Sequence, residues 1–334
     1  MRFTDLEELS SYLERHGISP GQKVISIEEI KGGVSADVYR VKMSLCDLIV
    51  KVPLGKLKVE REWISDTIRG RNEFRALYIA SSILGNDSVP KPYFFDDESR
   101  AIIISAAPAE FVTWKSLLMS NHAEPRIAEI LADNLGRFHK GSMEQDWLEG
   151  ELTESSRLFY ELRLSPYFEQ LLPLHTRYRE NIIEVIRVLR DKKCSLVHGD
   201  FSPKNILTDG TSRAIILDWE VIHYGNPVFD LGFMCTHLTL KAIHLGKDDP
   251  QKWLKLIHVF YDRYNSTVDY RTVDETEFFK VLGALLVARV DGKSPAEYLS
   301  MPEKDFVRSF GLHVLSTRFE NIDEYCSQLE SRLR

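Results

Sequence analysis

The 334-residue chain predicts an α+β fold of two lobes, an antiparallel β-sheet lobe with a helix over residues 1–104 and a larger, mostly helical lobe over residues 105–334. Three observations carry this. β-Branched runs separated by turn residues cluster before residue 105, helical periodicity dominates after it, and no long linker divides the two stretches. A cleft between the lobes is therefore the expected ligand site.

In the first stretch, Thr4-Asp5-Leu6-Glu7 has the form of a capping box, Leu6, Leu9 and Leu13 share one helical face, and Gly17 is a stop signal. Val24-Ile25-Ser26-Ile27 then reads as a strand, broken by Lys31-Gly32-Gly33. Val38–Val41 and Leu48–Val52 resume the strand pattern. Arg71–Leu84 reads as a helix with Phe74, Leu77 and Tyr78 on one face, and Pro90–Phe95 with Ala101–Ser105 as a hairpin around Asp96–Ser99. Beyond residue 105, Arg126–Lys140 is amphipathic with Ile127, Ile130, Leu131, Leu135 and Phe138 inward. Asn181–Arg190, Gln251–Tyr264 and Glu275–Val290 are further helices, interrupted by the β-like pieces Ser195–Val197 and Ala214–Leu217.

Composition narrows the function. Hydrophobic residues make up 43% and charged residues 28%, ordinary for a folded soluble chain. The formal net charge of -7 argues against a duplex nucleic-acid or anionic-membrane partner, which usually needs a basic face, and leaves room for a local basic pocket for phosphates. Cys46, Cys194, Cys235 and Cys326 are scattered without a CxxC pair, which argues against a disulfide framework or structural zinc and fits a reducing cytoplasm. The charged N-terminal stretch has no apolar signal core, and the apolar runs fall short of the roughly 20 residues that span a bilayer. A cytoplasmic location is expected, and the oligomeric state leaves no mark in the sequence.

The chemistry concentrates in Leu196-Val197-His198-Gly199-Asp200-Phe201-Ser202-Pro203-Lys204-Asn205-Ile206-Leu207. A carboxylate on a tight loop, Asp200, can accept the proton of an attacking hydroxyl. The carboxamide of Asn205, five residues on, can hold a metal ion at phosphate oxygens. A buried loop whose Asp and Asn only satisfy backbone groups would look the same. The strand Ala214–Leu217 then ends in Asp218-Trp219-Glu220, and a carboxylate there is costly unless it meets a metal or a strong donor.

His198-Gly199-Asp200 through Asn205, followed by Asp218-Trp219-Glu220, resembles the aminoglycoside phosphotransferase and choline kinase superfamily, whose members adopt the protein-kinase-like fold. Asn226-Pro227-Val228-Phe229-Asp230-Leu231-Gly232 resembles the stretch in which an aspartate braces the catalytic loop, and Leu135-Gly136-Arg137-Phe138-His139 the helix ahead of that loop. The resemblance runs from about residue 25 to at least residue 290. It implies that Asp200 is the catalytic base and that Asn205 and Asp218 bind Mg²⁺. It implies that Lys51, oriented by Glu73, steadies the upstream phosphates of ATP, GTP not being excluded. Gly32, Gly33 and Ser35 would cover the phosphates, and backbone groups near Ser105 and Ala107 would bind the adenine edge. Each has a plainer reading: a Gly-Gly hairpin turn, a solvated edge-strand lysine, and Glu60 or Glu62 as alternative acids. Lys204 reads as a charge near the γ-phosphate or as an exposed loop lysine.

Set beside protein kinases, Gly199 replaces the arginine that receives a phosphorylated activation loop, only about eleven residues separate Asp218 from Asp230, and Trp219-Glu220 replaces Phe-Gly. The expected activity is ATP- and Mg²⁺-dependent transfer of a phosphoryl group to a hydroxyl of a small molecule: an aminoglycoside, an amino alcohol, a sugar or a related metabolite. A nucleotide-binding pseudokinase acting as a regulatory module is the alternative, and an atypical protein kinase a further one. Acid-lined pockets in this superfamily go with aminated acceptors. Asp248, Asp249, Asp269, Asp274 and Glu275, or Asp146, Glu149 and Glu151, are the available acids, although charge runs usually mark solvated faces. Trp114, Trp253, Tyr261 and Tyr264 are candidates for an aromatic cage or for core. Ala288–Pro295 reads as a helix end and turn, bordering the cleft or only capping the helix.

Overall fold

A computed structural model describes residues 5–18, 21–30, 36–54, 69–143, 145, 147–269 and 273–333. The chain divides into two compact units, Met1–Glu110 with Leu217–Glu220, and Phe111–Ile216 with Val221–Arg334. The phosphate-covering loop expected at Gly32, Gly33 and Ser35 lies outside the described residues, as do Glu60, Glu62 and Asp146.

In the first unit, helix α1 (Leu6–Arg15) starts at Asp5, whose side chain accepts from the Glu7 N–H. It is followed by β1 (Val24–Glu29), β2 (Ala36–Met43), β3 (Asp47–Pro53), α2 (Arg69–Leu84), β4 (Pro92–Phe95) and β5 (Ile102–Ser105). The strands form one antiparallel sheet in the order β1-β2-β3-β5-β4. Alternation along the strands sorts the faces. Tyr39, Val41, Leu48, Val50 and Ile103 pack with Leu9, Tyr12 and Leu13 of α1 in one core cluster, while Lys51 takes the intervening position on β3. Two of the expected helical faces are redrawn. Leu6 is exposed, because the α1 stripe is Leu9-Tyr12-Leu13, and Tyr78 is exposed, because α2 buries Ala76, Leu77, Ala80 and Leu84 instead.

The second unit begins with β6 (Val112–Thr113), α3 (Trp114–Met119), α4 (Pro125–Ser142), α5 (Trp147–Glu151) and α6 (Thr153–Phe159). A π-helix, Tyr160–Phe168, follows and contains Pro166, which has no N–H to offer a regular α-helical ladder. Then come α7 (Arg179–Asp191), β7 (Ser195–Val197), a 3-10 turn at Pro203–Asn205, β8 (Ile206–Thr208), β9 (Ala214–Ile216) and β10 (His223–Gly225). The strand expected to reach Leu217 stops at Ile216. Four long helices, α8 (Val228–Leu245), α9 (Pro250–Val268), α10 (Glu275–Asp291) and α11 (Met301–Ser316), and a final α12 (Ile322–Leu333) complete the unit. β10 pairs with β7, and β8 lies between β6 and β9, so the 198–205 loop is held at both ends by short antiparallel ladders.

Helices α10 and α11 approach closely through two glycines. A Cβ at Gly283 would meet the Gly311 carbonyl oxygen at 2.8 Å and press on the Leu315 backbone. An alanine in a helix ordinarily gains about 1 kcal/mol over glycine. Here overpacking, which costs about 1–3 kcal/mol, should outweigh it. Gly283→Ala is expected to lower the urea midpoint of unfolding, and an unchanged or higher midpoint would contradict this contact.

Candidate active site

In the first unit, the Lys51 side chain on β3 is 13% exposed. Its ammonium lies 2.6 and 2.8 Å from the two carboxylate oxygens of Glu73 on α2, and 3.0 Å from Asp218 Oδ1. Burial pulls the lysine down, but Glu73, Asp218 and Glu220 outweigh it and hold the ammonium firmly protonated. Asp218 has φ 67°, a left-handed conformation that a non-glycine residue takes only when its surroundings impose it. The Lys51 ammonium thus feels three neighbouring carboxylates.

At the end of β5, Ser105 donates its N–H to the Lys91 carbonyl at 2.9 Å, and its hydroxyl accepts from the Lys91 N–H. The Ala107 carbonyl accepts from Arg40 at 3.2 Å, and Arg40 is itself paired with Asp47.

In the second unit, the loop after β7 turns sharply at Gly199, φ 77°. A Cβ there would meet the Val221 carbonyl oxygen at 2.7 Å, so both handedness and room require glycine. Asp230, in the first turn of α8, fixes the loop from beneath. Its Oδ2 accepts from the His198 N–H at 2.6 Å and its Oδ1 from the Gly199 N–H at 2.9 Å. Oδ2 also lies 3.2 Å from His139 Nε2. An ionised carboxylate only accepts, so Nε2 carries a proton, and His139 Nδ1 lies 2.7 Å from the Tyr264 hydroxyl. Burial raises the Asp230 carboxyl, but the hydrogen bond and charge of His139 bring it below the usual carboxylate value.

Asp200 is 4% exposed. Its carboxylate meets Arg163 Nη2 at 3.1 Å, Lys204 Nζ at 2.9 Å and Asn205 Nδ2 at 2.8 Å. Burial pushes the carboxyl up, yet Lys204 and Arg163 outweigh it and hold it well below the usual range. Asn205 spends its amide N–H on Asp200, which turns its amide oxygen the other way. Lys204 is half exposed as well as paired.

Arg163 is the residue that sequence reasoning missed. It sits on the π-helix, is 7% exposed, and donates through Nε to the Gly199 carbonyl at 2.6 Å and through Nη1 to the Leu162 carbonyl at 2.7 Å. Its one visible signal is an arginine set between Leu162 and Leu164, where burial demands a partner. The candidate aromatics Trp114, Trp253, Tyr261 and Tyr264 are all buried core residues. Of the surface acids, Asp249 and Asp274 cap α9 and α10.

Residues 26–261 match the phosphotransferase enzyme family. The chain belongs to that family. It is a small-molecule kinase by that membership. Among curated proteins it is similar to a 4-hydroxytryptamine kinase of Psilocybe cyanescens, 23% identical over 266 residues, covering 68% of this chain and 71% of the relative. Two solved structures share its fold. A choline/ethanolamine kinase family protein from Mesorhizobium loti has a TM-score of 0.50 and 14% identity, covering 97% of this chain and 99% of the other. A spectinomycin phosphotransferase in complex with ADP and spectinomycin has a TM-score of 0.51 and 16% identity, covering 98% and 99%. The expected α+β, two-lobed, kinase-like fold is the one found. No helix among the described residues is long and apolar enough to cross a membrane.

Proposed function

We propose that this phosphotransferase moves the γ-phosphoryl group of ATP to a hydroxyl of a small molecule, with Asp200 aligning that hydroxyl and accepting its proton. The observation that carries the reading is the buried, charged Asp200 carboxylate, aimed by Arg163, Lys204 and Asn205. A carboxylate so well stabilised is a weak base. It orients the hydroxyl first and takes the proton late, which suits a loose phosphoryl-transfer transition state. The bond from the acceptor oxygen to the γ-phosphorus forms, the bond from that phosphorus to the bridging oxygen breaks, and ADP departs.

Asn205 and Asp218 are proposed as Mg²⁺ ligands. The oxygen donors fit a hard cation, and Asp218 is one of three carboxylates gathered around Lys51. Mg²⁺ would neutralise charge on the phosphates. Lys51, held by Glu73, would steady the upstream phosphates, and Gly32, Gly33 and Ser35 would cover them. With the Ser105 N–H and the Ala107 carbonyl already engaged, an adenine edge would use the Ser105 carbonyl and the Ala107 N–H. The four unpaired cysteines support a cytoplasmic location.

The test is nucleotide consumption with ATP or GTP against a panel of amino alcohols, sugars, nucleosides and aminoglycosides, with mass spectrometry of products and repetition in EDTA. A phosphorylated product that requires Mg²⁺ is expected. Nucleotide binding with no turnover of any panel member would favour the pseudokinase reading. Lys51→Met should raise the KM for ATP by about 10- to 100-fold, the worth of a lost charge-assisted hydrogen bond. An unchanged KM would remove Lys51 from the nucleotide site.

A further inference from the structure

A second group of charged side chains lies in the second unit, on α8 and at the end of α10. Lys241 on α8 is 1% exposed and forms no ion pair among the described residues. Its ammonium has only the Tyr298 ring, 5.1 Å from the centroid, and the Tyr298 hydroxyl at 3.5 Å. One helical turn earlier, His237 is buried against the edge of Phe233, ring centroids 4.9 Å apart. Arg289 in the last turn of α10 donates to the Ser294 hydroxyl at 3.1 Å and carbonyl, and reaches the Tyr167 hydroxyl at 3.5 Å. Its buried Nε has no hydrogen-bond partner among the described residues.

Two acids on neighbouring elements are engaged elsewhere. Glu303 accepts from the Ser300 N–H and hydroxyl at 2.7 and 2.8 Å and lies 3.2 Å from His244. Asp291 is bound by Arg308 and His175. Burial, helped by Lys115 and Arg289, draws the Lys241 ammonium down to about 7, and burial pushes His237 well below its usual value.

This group is continuous with Asp200. The Arg163 guanidinium that pairs with Asp200 lies 5.7 Å over the Tyr167 ring, and the Tyr167 hydroxyl faces Arg289. His237 feels the charges of both Asp200 and Lys204. Burying a lysine without an anion costs stability, and an apolar side chain at 241 would serve the core better. An anion delivered by a ligand resolves that cost, whereas an ammonium on the ligand would be repelled.

We propose that the acceptor carries an anionic group, a carboxylate or a phosphate ester, bound by Lys241, Arg289 and His237 while its hydroxyl reaches Asp200. The inference rests on Asp200 being the catalytic base. The experiment uses the full chain with ATP and Mg²⁺ and a panel in which each hydroxyl scaffold is present as amine, neutral, carboxylate and phosphate forms. The anionic forms should be turned over, with kcat/KM about 10- to 100-fold above their amine counterparts. Lys241→Met should remove that preference and leave the KM for ATP unchanged. An amine or neutral form used as well as its anionic counterpart overturns the anion site. If Asp200→Asn abolishes that turnover, the catalytic reading survives; if turnover persists in Asp200→Asn, the catalytic reading falls as well. If no form reacts, thermal shifts with malonate and inorganic phosphate decide. A shift present in the native protein and lost in Lys241→Met supports the site, and equal shifts or none overturn it.

Discussion

Asp200→Asn should reduce kcat by about 10²- to 10⁴-fold, the usual contribution of a positioned acid–base group. Asparagine keeps the size of the side chain and its bond with Asn205 but presents no negative charge to Arg163 and Lys204. The acceptor hydroxyl then loses both its aligning partner and its proton acceptor. Lys51, Glu73 and Asp218, the residues proposed to hold the nucleotide and its metal, are unchanged in this variant, so nucleotide affinity should stay within a few-fold of the native value. Steady-state kinetics alongside nucleotide titration separates the two quantities. A kcat within about tenfold of native would exclude Asp200 as the base.

Asp230→Ala should show the largest loss of stability, about 3–5 kcal/mol. The carboxylate is fully buried and holds the His198 and Gly199 N–H groups and His139 at once. Alanine leaves two backbone donors and the His139 Nε2 hydrogen without an acceptor. Urea unfolding at pH 7 measures the change, and a loss below about 1 kcal/mol would show that the loop is held by other means. Asp230→Asn should cost less, because its amide oxygen still accepts one of the bonds. The native carboxyl is lowered in the fold, so its contribution is complete above the unfolded carboxylate pKa of about 3.9 and is lost as pH falls through the folded value. That part of the acid slope should be missing in Asp230→Asn.

What could be read from the chain depended on whether a residue's role leaves a local pattern. β3 alternates cleanly because one face of the sheet meets α1, and the β-branched runs of β1, β2 and β3 mark their positions in the sequence. Helix α8 leaves no such mark. Every residue from Val228 to Ile243 is buried, so no 3.6-residue stripe exists to reveal it. The start of α11 does leave a local signal, for Ser300 and Glu303 form a capping box with Pro302 just inside. β6, β8 and β10 are two or three residues long, too short for any period to register. In the site, Asp200 and Asn205 share one loop, and their spacing is itself the signal. Arg163 comes from 36 residues before Gly199 on a π-helix, and only the folded chain brings it to Asp200.

The glycine at 199 has a consequence for control. Protein kinases carry their regulatory guanidinium beside the catalytic aspartate in sequence, where an external phosphate can recruit it. Here that position is closed by the Val221 backbone and by a left-handed turn. The guanidinium arrives on Arg163 instead, buried and already bonded to the Gly199 carbonyl. Its charge stands against Asp200 in the folded chain itself, with no added phosphate needed to recruit it.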